Sequence, residues 1–184
     1  MSGDALRDVL LLVDVVSDFE HGDGEALARS FARTQPALVA AIAEARRRGI
    51  PVVYANDSHG DWSGERRRQI ERALRGRAGE LVAGILPEED DAYLVKPRYS
   101  AFDHTPLAMV LDAHRADRVL LAGTATEMCV AQTAIQAREI GLKVTVLADA
   151  CAEVDAADAR VALDYLESVV GARLANGFPH ERPD

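Results

Sequence analysis

Short apolar runs alternate along this chain with segments of helical periodicity, and no other feature limits its fold so narrowly. Val9–Val13 is an unbroken apolar stretch, too short for a helix and without the alternation of a strand that keeps one face in water. Such a run suits a strand buried on both faces. Pro51–Ala55, Ala92–Val95, Arg118–Ala122 and Lys143–Leu147 repeat the pattern, and Arg173–Ala175 offers a short sixth strand. Between them lie helical segments. Over Gln35–Arg48 the apolar residues Leu38, Val39, Ile42 and Ala45 fall at helical spacing, and Gly49 supplies the stop. Trp62–Gly76 is polar and helical in pattern. Thr105–His114 has Pro106 at a tolerated first-turn position, and Thr126–Ile140 and Asp155–Val170 each end at a glycine. Strands separated by helices in this order predict βαβ units and a mostly parallel, roughly six-stranded sheet covered on both faces.

The 184 residues are enough for one domain, 1–184, with a sizeable core. A net charge of −9 argues against nucleic acid as a partner, because phosphate binding needs a basic surface. The basic runs Arg46–Arg48 and Arg66–Arg68 are expected to be solvated helix faces. No apolar run approaches the ~18 residues of a membrane span. The N-terminus lacks the basic start and apolar stretch of a signal peptide. Two cysteines make neither a disulfide framework nor a zinc pattern, so the cytoplasm is the expected location. The tail Phe178–Asp184 is polar and expected to be loose.

In sheets of this kind ligands bind beyond the carboxyl ends of the strands. Asp14, Asn56, Asp57, Lys96 and Cys129 all fall at or just past such ends. Cys129 follows a strand and opens a helix. There, unpaired N–H groups and the helix dipole favour thiolate, which predicts a pKa below the ~8.5 of a free thiol. The plainer alternative is a buried structural cysteine. Cys151, among small residues and away from a helix start, is assigned to core packing. Asp14 is either a turn residue or a base for the thiol proton. Lys96 either snorkels to solvent or stabilises a thiolate beside Asp14.

Three segments weigh these alternatives together. Leu11-Leu12-Val13-Asp14-Val15-Val16-Ser17-Asp18-Phe19, Val95-Lys96-Pro97-Arg98-Tyr99-Ser100-Ala101-Phe102 and Ala122-Gly123-Thr124-Ala125-Thr126-Glu127-Met128-Cys129-Val130 resemble the three sequence blocks of the isochorismatase-like cysteine hydrolases. That superfamily includes nicotinamidases, N-carbamoylsarcosine amidohydrolase, biuret hydrolase and isochorismatase. The resemblance implies a three-layer α/β/α sandwich with a Rossmann-like sheet. It implies a catalytic triad of Asp14, Lys96 and Cys129 and a thioester intermediate. It also implies an oxyanion hole from the Ala125 and Cys129 amides, with a cis peptide between Thr124 and Ala125. Isochorismatases lack the cysteine and cleave a vinyl ether, so Cys129 favours a small amide or ureide as substrate, with no cofactor. Family members are commonly dimers or larger, so a homodimer or larger homo-oligomer is expected.

The chain departs from the family pattern at Val16 and Ser17, where Gln and Asn are usual. Phe19, Asn56, Trp62, Arg98, Tyr99 and Phe102 are expected to line the substrate pocket, with specificity set by loops 16–25, 56–66 and 98–104. Arg98 could hold a substrate carboxylate or make a surface ion pair. Nicotinamidases bind a metal through an Asp-x-His pair with further histidines. Asp57 and His59 form such a pair here, but His21, His104, His114 and His180 do not follow in the loop. A metal needs three or more protein ligands, so the expectation is no metal, with a metal-assisted nicotinamidase as the alternative. A non-catalytic binding module on the same fold is the remaining alternative.

Overall fold

The structure is a computed structural model that describes residues 6–61 and 63–179. Six strands, β1 (Asp8–Val13), β2 (Val52–Asp57), β3 (Ala92–Lys96), β4 (Arg118–Thr124), β5 (Lys143–Ala152) and β6 (Arg173–Ala175), form one sheet in the order β3-β2-β1-β4-β5-β6. Every pairing is parallel, a stricter result than the mostly parallel sheet expected. The helices are α1 (Gly24–Arg47), α2 (Arg66–Arg75), α3 (Gly79–Ala83), α4 (Leu107–Ala113), α5 (Ala131–Glu139) and α6 (Ala156–Tyr165).

The apolar runs are strands because both of their faces are covered. Leu10, Leu12, Tyr54, Leu120 and Ala122 turn to one face and pack against Leu27, Phe31, Leu38 and Ile42 of α1. Val9, Leu11, Val13, Val53 and Leu121 turn to the other, against Leu107 and Leu111 of α4 and Ala134 of α5. The result is a three-layer α/β/α sandwich. All five residues of Val9–Val13 are 0% exposed. Burying each such Val or Leu contributes about 1.5–3 kcal/mol relative to leaving it in water.

Several boundaries differ from the sequence-based ones, each for a local reason. Helix α1 begins at Gly24 rather than Gln35 and carries Pro36 inside it. Pro36 lacks an N–H and looks like a helix start, yet the buried stripe of Leu27, Phe31, Leu38, Ile42 and Ala45 runs through it. Strand β5 continues past Leu147 to Ala152, across a register shift: Leu121 pairs with Val146, but Gly123 pairs with Cys151. The bulged residues include Asp149, whose carboxylate accepts from Gly177 N at 2.8 Å. The segment expected to be helical from Trp62 begins at Arg66, and α3 follows it unanticipated. Single π-helical turns occupy Thr126–Val130 before α5 and Leu166–Val170 after α6. Phe178, expected to be loose, lies under the Arg48 guanidinium at 4.9 Å, and Arg48 also donates to Pro179 O at 3.1 Å. The rest of that tail, with His180, lies outside the described residues.

From β1 the chain proceeds outward through β2 and β3 on one side and β4, β5 and β6 on the other. The carboxyl ends of β1 and β4 flank the point where direction reverses, the place where sheets of this order open a crevice. Gly123 lets these strands close there. Its φ is 135°, and a Cβ at that position would stand 2.0 Å from Val13 O. Only glycine fits.

Candidate active site

Three strand ends deliver three side chains to this crevice. Asp14 leaves β1 at φ 53°, a left-handed conformation that aspartate tolerates better than most residues. Its backbone is held from both sides: the Asp14 amide donates to Ala55 O at 2.9 Å, and Thr124 Oγ1 donates to Asp14 O at 3.0 Å. Its carboxylate accepts from Asp57 N at 2.7 Å. Lys96 ends β3, the edge strand, yet its side chain is 0% exposed because it reaches inward instead of snorkelling. Its ammonium stands 2.8 Å from Asp14 Oδ2, donates to Arg98 O at 2.9 Å, and lies 3.4 Å from Cys129 Sγ. All three N–H bonds of the ammonium therefore have partners.

Cys129 sits in the π turn ahead of α5, not in the first turn of an α-helix as expected. The peptide bond between Thr124 and Ala125 is cis. The amides on either side of Cys129, those of Met128 and Val130, both donate to Ala125 O, at 3.0 and 3.2 Å.

The electrostatics correct the expected thiol. Burial first, and the Asp14 charge second, push Cys129 up to about 12, with Lys96 pulling the other way. Burial also raises the Asp14 carboxyl, against Lys96, Cys129 and the Asp57 amide. For Lys96, burial acts downward, but the charges of Asp14 and Cys129 outweigh it and the net shift is upward. Burial thus favours the protonated thiol of Cys129 over a resting thiolate, next to an Asp14 carboxyl that the Lys96 ammonium holds at 2.8 Å. An arrangement of this kind can exchange a proton between sulfur and carboxyl without storing a thiolate. Iodoacetamide alkylation of Cys129 in a Cys151→Ser background is expected to keep accelerating above the ~8.5 of a free thiol. A plateau below that pH would show a resting thiolate. Cys151 itself is 3% exposed in the core, as the sequence suggested.

The expected pocket residues divide. Arg98 and Tyr99 line an open cleft of about 760 Å³ with Asp57, Pro97 and, from α5, Gln132 and Gln136; Asp14, Lys96 and Cys129 are not part of its lining. Arg98 is 67% exposed and stands 3.5 Å from Asp103, a loose surface pair. Three others do not face the cleft. Phe19 is fully buried and packs on Phe31 of α1 with ring centroids 5.1 Å apart, since the loop after Asp14 turns it into the core. Asn56 is also fully buried, and its Oδ1 accepts from Val16 N at 2.9 Å, so it braces that loop. Phe102 packs partly buried against the second core face. Trp62 lies outside the described residues. Asp57 Oδ1 is taken by His59 N at 2.6 Å, and among the described residues no group of three or more His, Cys, Asp or Glu side chains could hold a metal. These residues do not fit a metal centre.

Sequence reasoning gave no role to Glu127, two residues past the cis peptide, whose carboxylate accepts from the Val154 and Asp155 amides.

Comparison with known proteins adds a consistent set of relatives. The sequence model of the Isochorismatase domain matches residues 8–175. YaaI of Bacillus subtilis (strain 168), an uncharacterised isochorismatase family protein, is 29% identical over 165 residues, 90% of this chain and 91% of its own length. The crystal structure of N-carbamoylsarcosine amidase from Thermoplasma acidophilum superposes with a TM-score of 0.76 at 31% identity, covering 96% of this chain and 100% of that one. Nicotinamidase PncA from Bacillus subtilis superposes with a TM-score of 0.76 at 25% identity, covering 93% and 100%.

Proposed function

The chain belongs to the isochorismatase family of hydrolases, and we propose that it cleaves a C–N bond of a small amide or ureide through a thioester on Cys129. The observation that carries this reading is the Lys96 ammonium, 2.8 Å from Asp14 Oδ2 and 3.4 Å from Cys129 Sγ in a buried setting. The likeness to a carbamoylsarcosine amidase supports the substrate class.

Cys129 Sγ attacks the carbonyl carbon as its proton passes to Asp14. The carbonyl oxygen becomes an oxyanion received by the Ala125 and Cys129 amides. Amides fixed on the site of developing charge stabilise the tetrahedral intermediate more than the substrate. The intermediate collapses, the C–N bond breaks, and ammonia or an amine leaves with the proton from Asp14. Water then attacks the thioester carbon and gives a proton to Asp14. The C–S bond breaks, the acid leaves, and the thiol recovers its proton. Lys96 holds the Asp14 carboxyl in place throughout and favours its ionised form between proton transfers. No step passes through a metal, because Asp57 and His59 lack further ligands among the described residues. The metal-assisted nicotinamidase is therefore the weaker alternative.

The test is ammonia release from a panel of small amides and ureides. Release from at least one is expected; none from any would favour the non-catalytic module. Association of the chain with further copies of itself belongs to the same reading. Val161 and Val169, 67% and 66% exposed, flank the half-exposed Tyr165 at four-residue spacing along α6 and the turn after it, and support it. A monomer by light scattering would overturn that part. Two free cysteines suit a reducing compartment, and we assign the protein to the cytoplasm.

A further inference from the structure

The turn that carries Cys129 is clasped from outside by the connection between β5 and α6. Thr126 Oγ1 donates to Ala152 O at 3.0 Å. Glu127 Oε1 accepts two amides, Val154 N at 2.8 Å and Asp155 N at 3.1 Å. Asp155 in turn caps α6, its carboxylate accepting from Ala157 N and Asp158 N at 2.8 and 3.1 Å. The connection is itself anchored to α1: Glu153 N donates to Ser30 Oγ at 3.1 Å, and Arg33 pairs with the Glu153 carboxylate at 2.7 Å.

Glu127 lies two residues from Ala125 and two from Cys129, midway between the amides assigned to the oxyanion. We infer that Glu127 is a positioning residue that fixes the spacing of those two amides by tying their turn to Val154 and Asp155. This inference rests on the thioester reading above. Stability alone gives a poor account of Glu127. Its second oxygen, Oε2, is buried and takes no donor from the described residues, so a buried polar atom is left unpaired. A side chain kept at such a cost is more common where function sets the residue. The carboxylate's bonds go to Val154 and Asp155 at the start of α6, whose N-terminal end favours a negative charge.

The test separates oxyanion binding from thiol chemistry. With [1-13C]acetaldehyde the Cys129 thiol adds across the C=O: the S–C bond forms, the C–O π bond breaks, and the oxygen takes the thiol proton. That oxygen stands where the oxyanion would, so the dissociation constant from NMR titration reads the two amides. Iodoacetamide alkylation creates no oxyanion and reads only the thiol. In Glu127→Ala the aldehyde affinity is expected to fall about tenfold or more, by analogy with loss of an oxyanion donor. The alkylation rate should stay within about twofold, since it involves no such donor. Glu127→Gln keeps an oxygen for both amides and should restore the affinity. Unchanged aldehyde affinity in Glu127→Ala overturns the inference. So does a parallel fall in affinity, alkylation rate and melting temperature, which marks a purely structural role. If the wild-type protein forms no adduct with either reagent, the thioester reading fails and this inference with it.

Discussion

Cys129→Ala is expected to lose amide turnover by about 10⁴-fold or more, in keeping with removal of a nucleophile from a coupled catalytic group. The loss is large because no neighbour can replace the sulfur. Cys151, the one other cysteine, lies in β5 at 3% exposure, with its sulfur 3.9 Å from Leu121 O. The substitution should leave the fold nearly intact, because Cys129 is only partly buried and its polar partners, Asp14 and Lys96, still hold each other at 2.8 Å. Steady-state ammonia release together with urea denaturation separates these two consequences. Full activity in Cys129→Ala would remove the sulfur from the mechanism altogether.

Lys96→Met should destabilise the fold by about 3–5 kcal/mol, the range for removing one partner of a buried ion pair. The pair is inaccessible: Lys96 is 0% exposed and Asp14 13%. Without the ammonium, nothing opposes the burial of Asp14 except the Asp57 amide and Cys129, and the carboxyl rises further above its ordinary 3.8. The sign of the pH dependence follows. A carboxyl whose folded pKa lies above its unfolded value weakens the fold at pH above that range, and the deficit shrinks as the pH falls and the group takes a proton. The Lys96→Met deficit should therefore be larger at about pH 8 than at about pH 5. Adding Asp14→Asn, which removes the stranded charge, should recover part of it. Equal stability of the single and double variants at neutral pH would mean that the two groups do not depend on each other.

The convergence of Asp14, Lys96 and Cys129 was legible because each ends or follows an apolar run, and a parallel sheet gathers its strand ends on one edge. The sheet was legible for the same reason. Period-based reasoning fails where one residue contradicts its neighbours. Pro36 disguised the continuation of α1 toward Gly24, although Leu27 and Phe31 carry its apolar stripe. Asp149 concealed the outer part of β5, since a bulge lets a polar residue sit inside a strand. The states of the side chains were less legible. Helix-dipole reasoning predicted a low thiol pKa, but burial and the Asp14 charge dominate in the fold. Phe19 and Asn56 were expected at the pocket from their place in the chain. A loop's path, which sequence does not specify, turns the first into the core and makes the second its brace. Glu127 escaped notice because its partners, Val154 and Asp155, are backbone amides 27 and 28 residues away, and any residue type but proline could supply them.

The most direct measurement is intact-protein and peptide mass spectrometry of acid-quenched protein during turnover of an amide from the panel. The account predicts a mass increase equal to the acyl or carbamoyl group, on the peptide that contains Cys129 and absent from Cys129→Ala. Ongoing turnover with no adduct, or an adduct on a different residue, would contradict it.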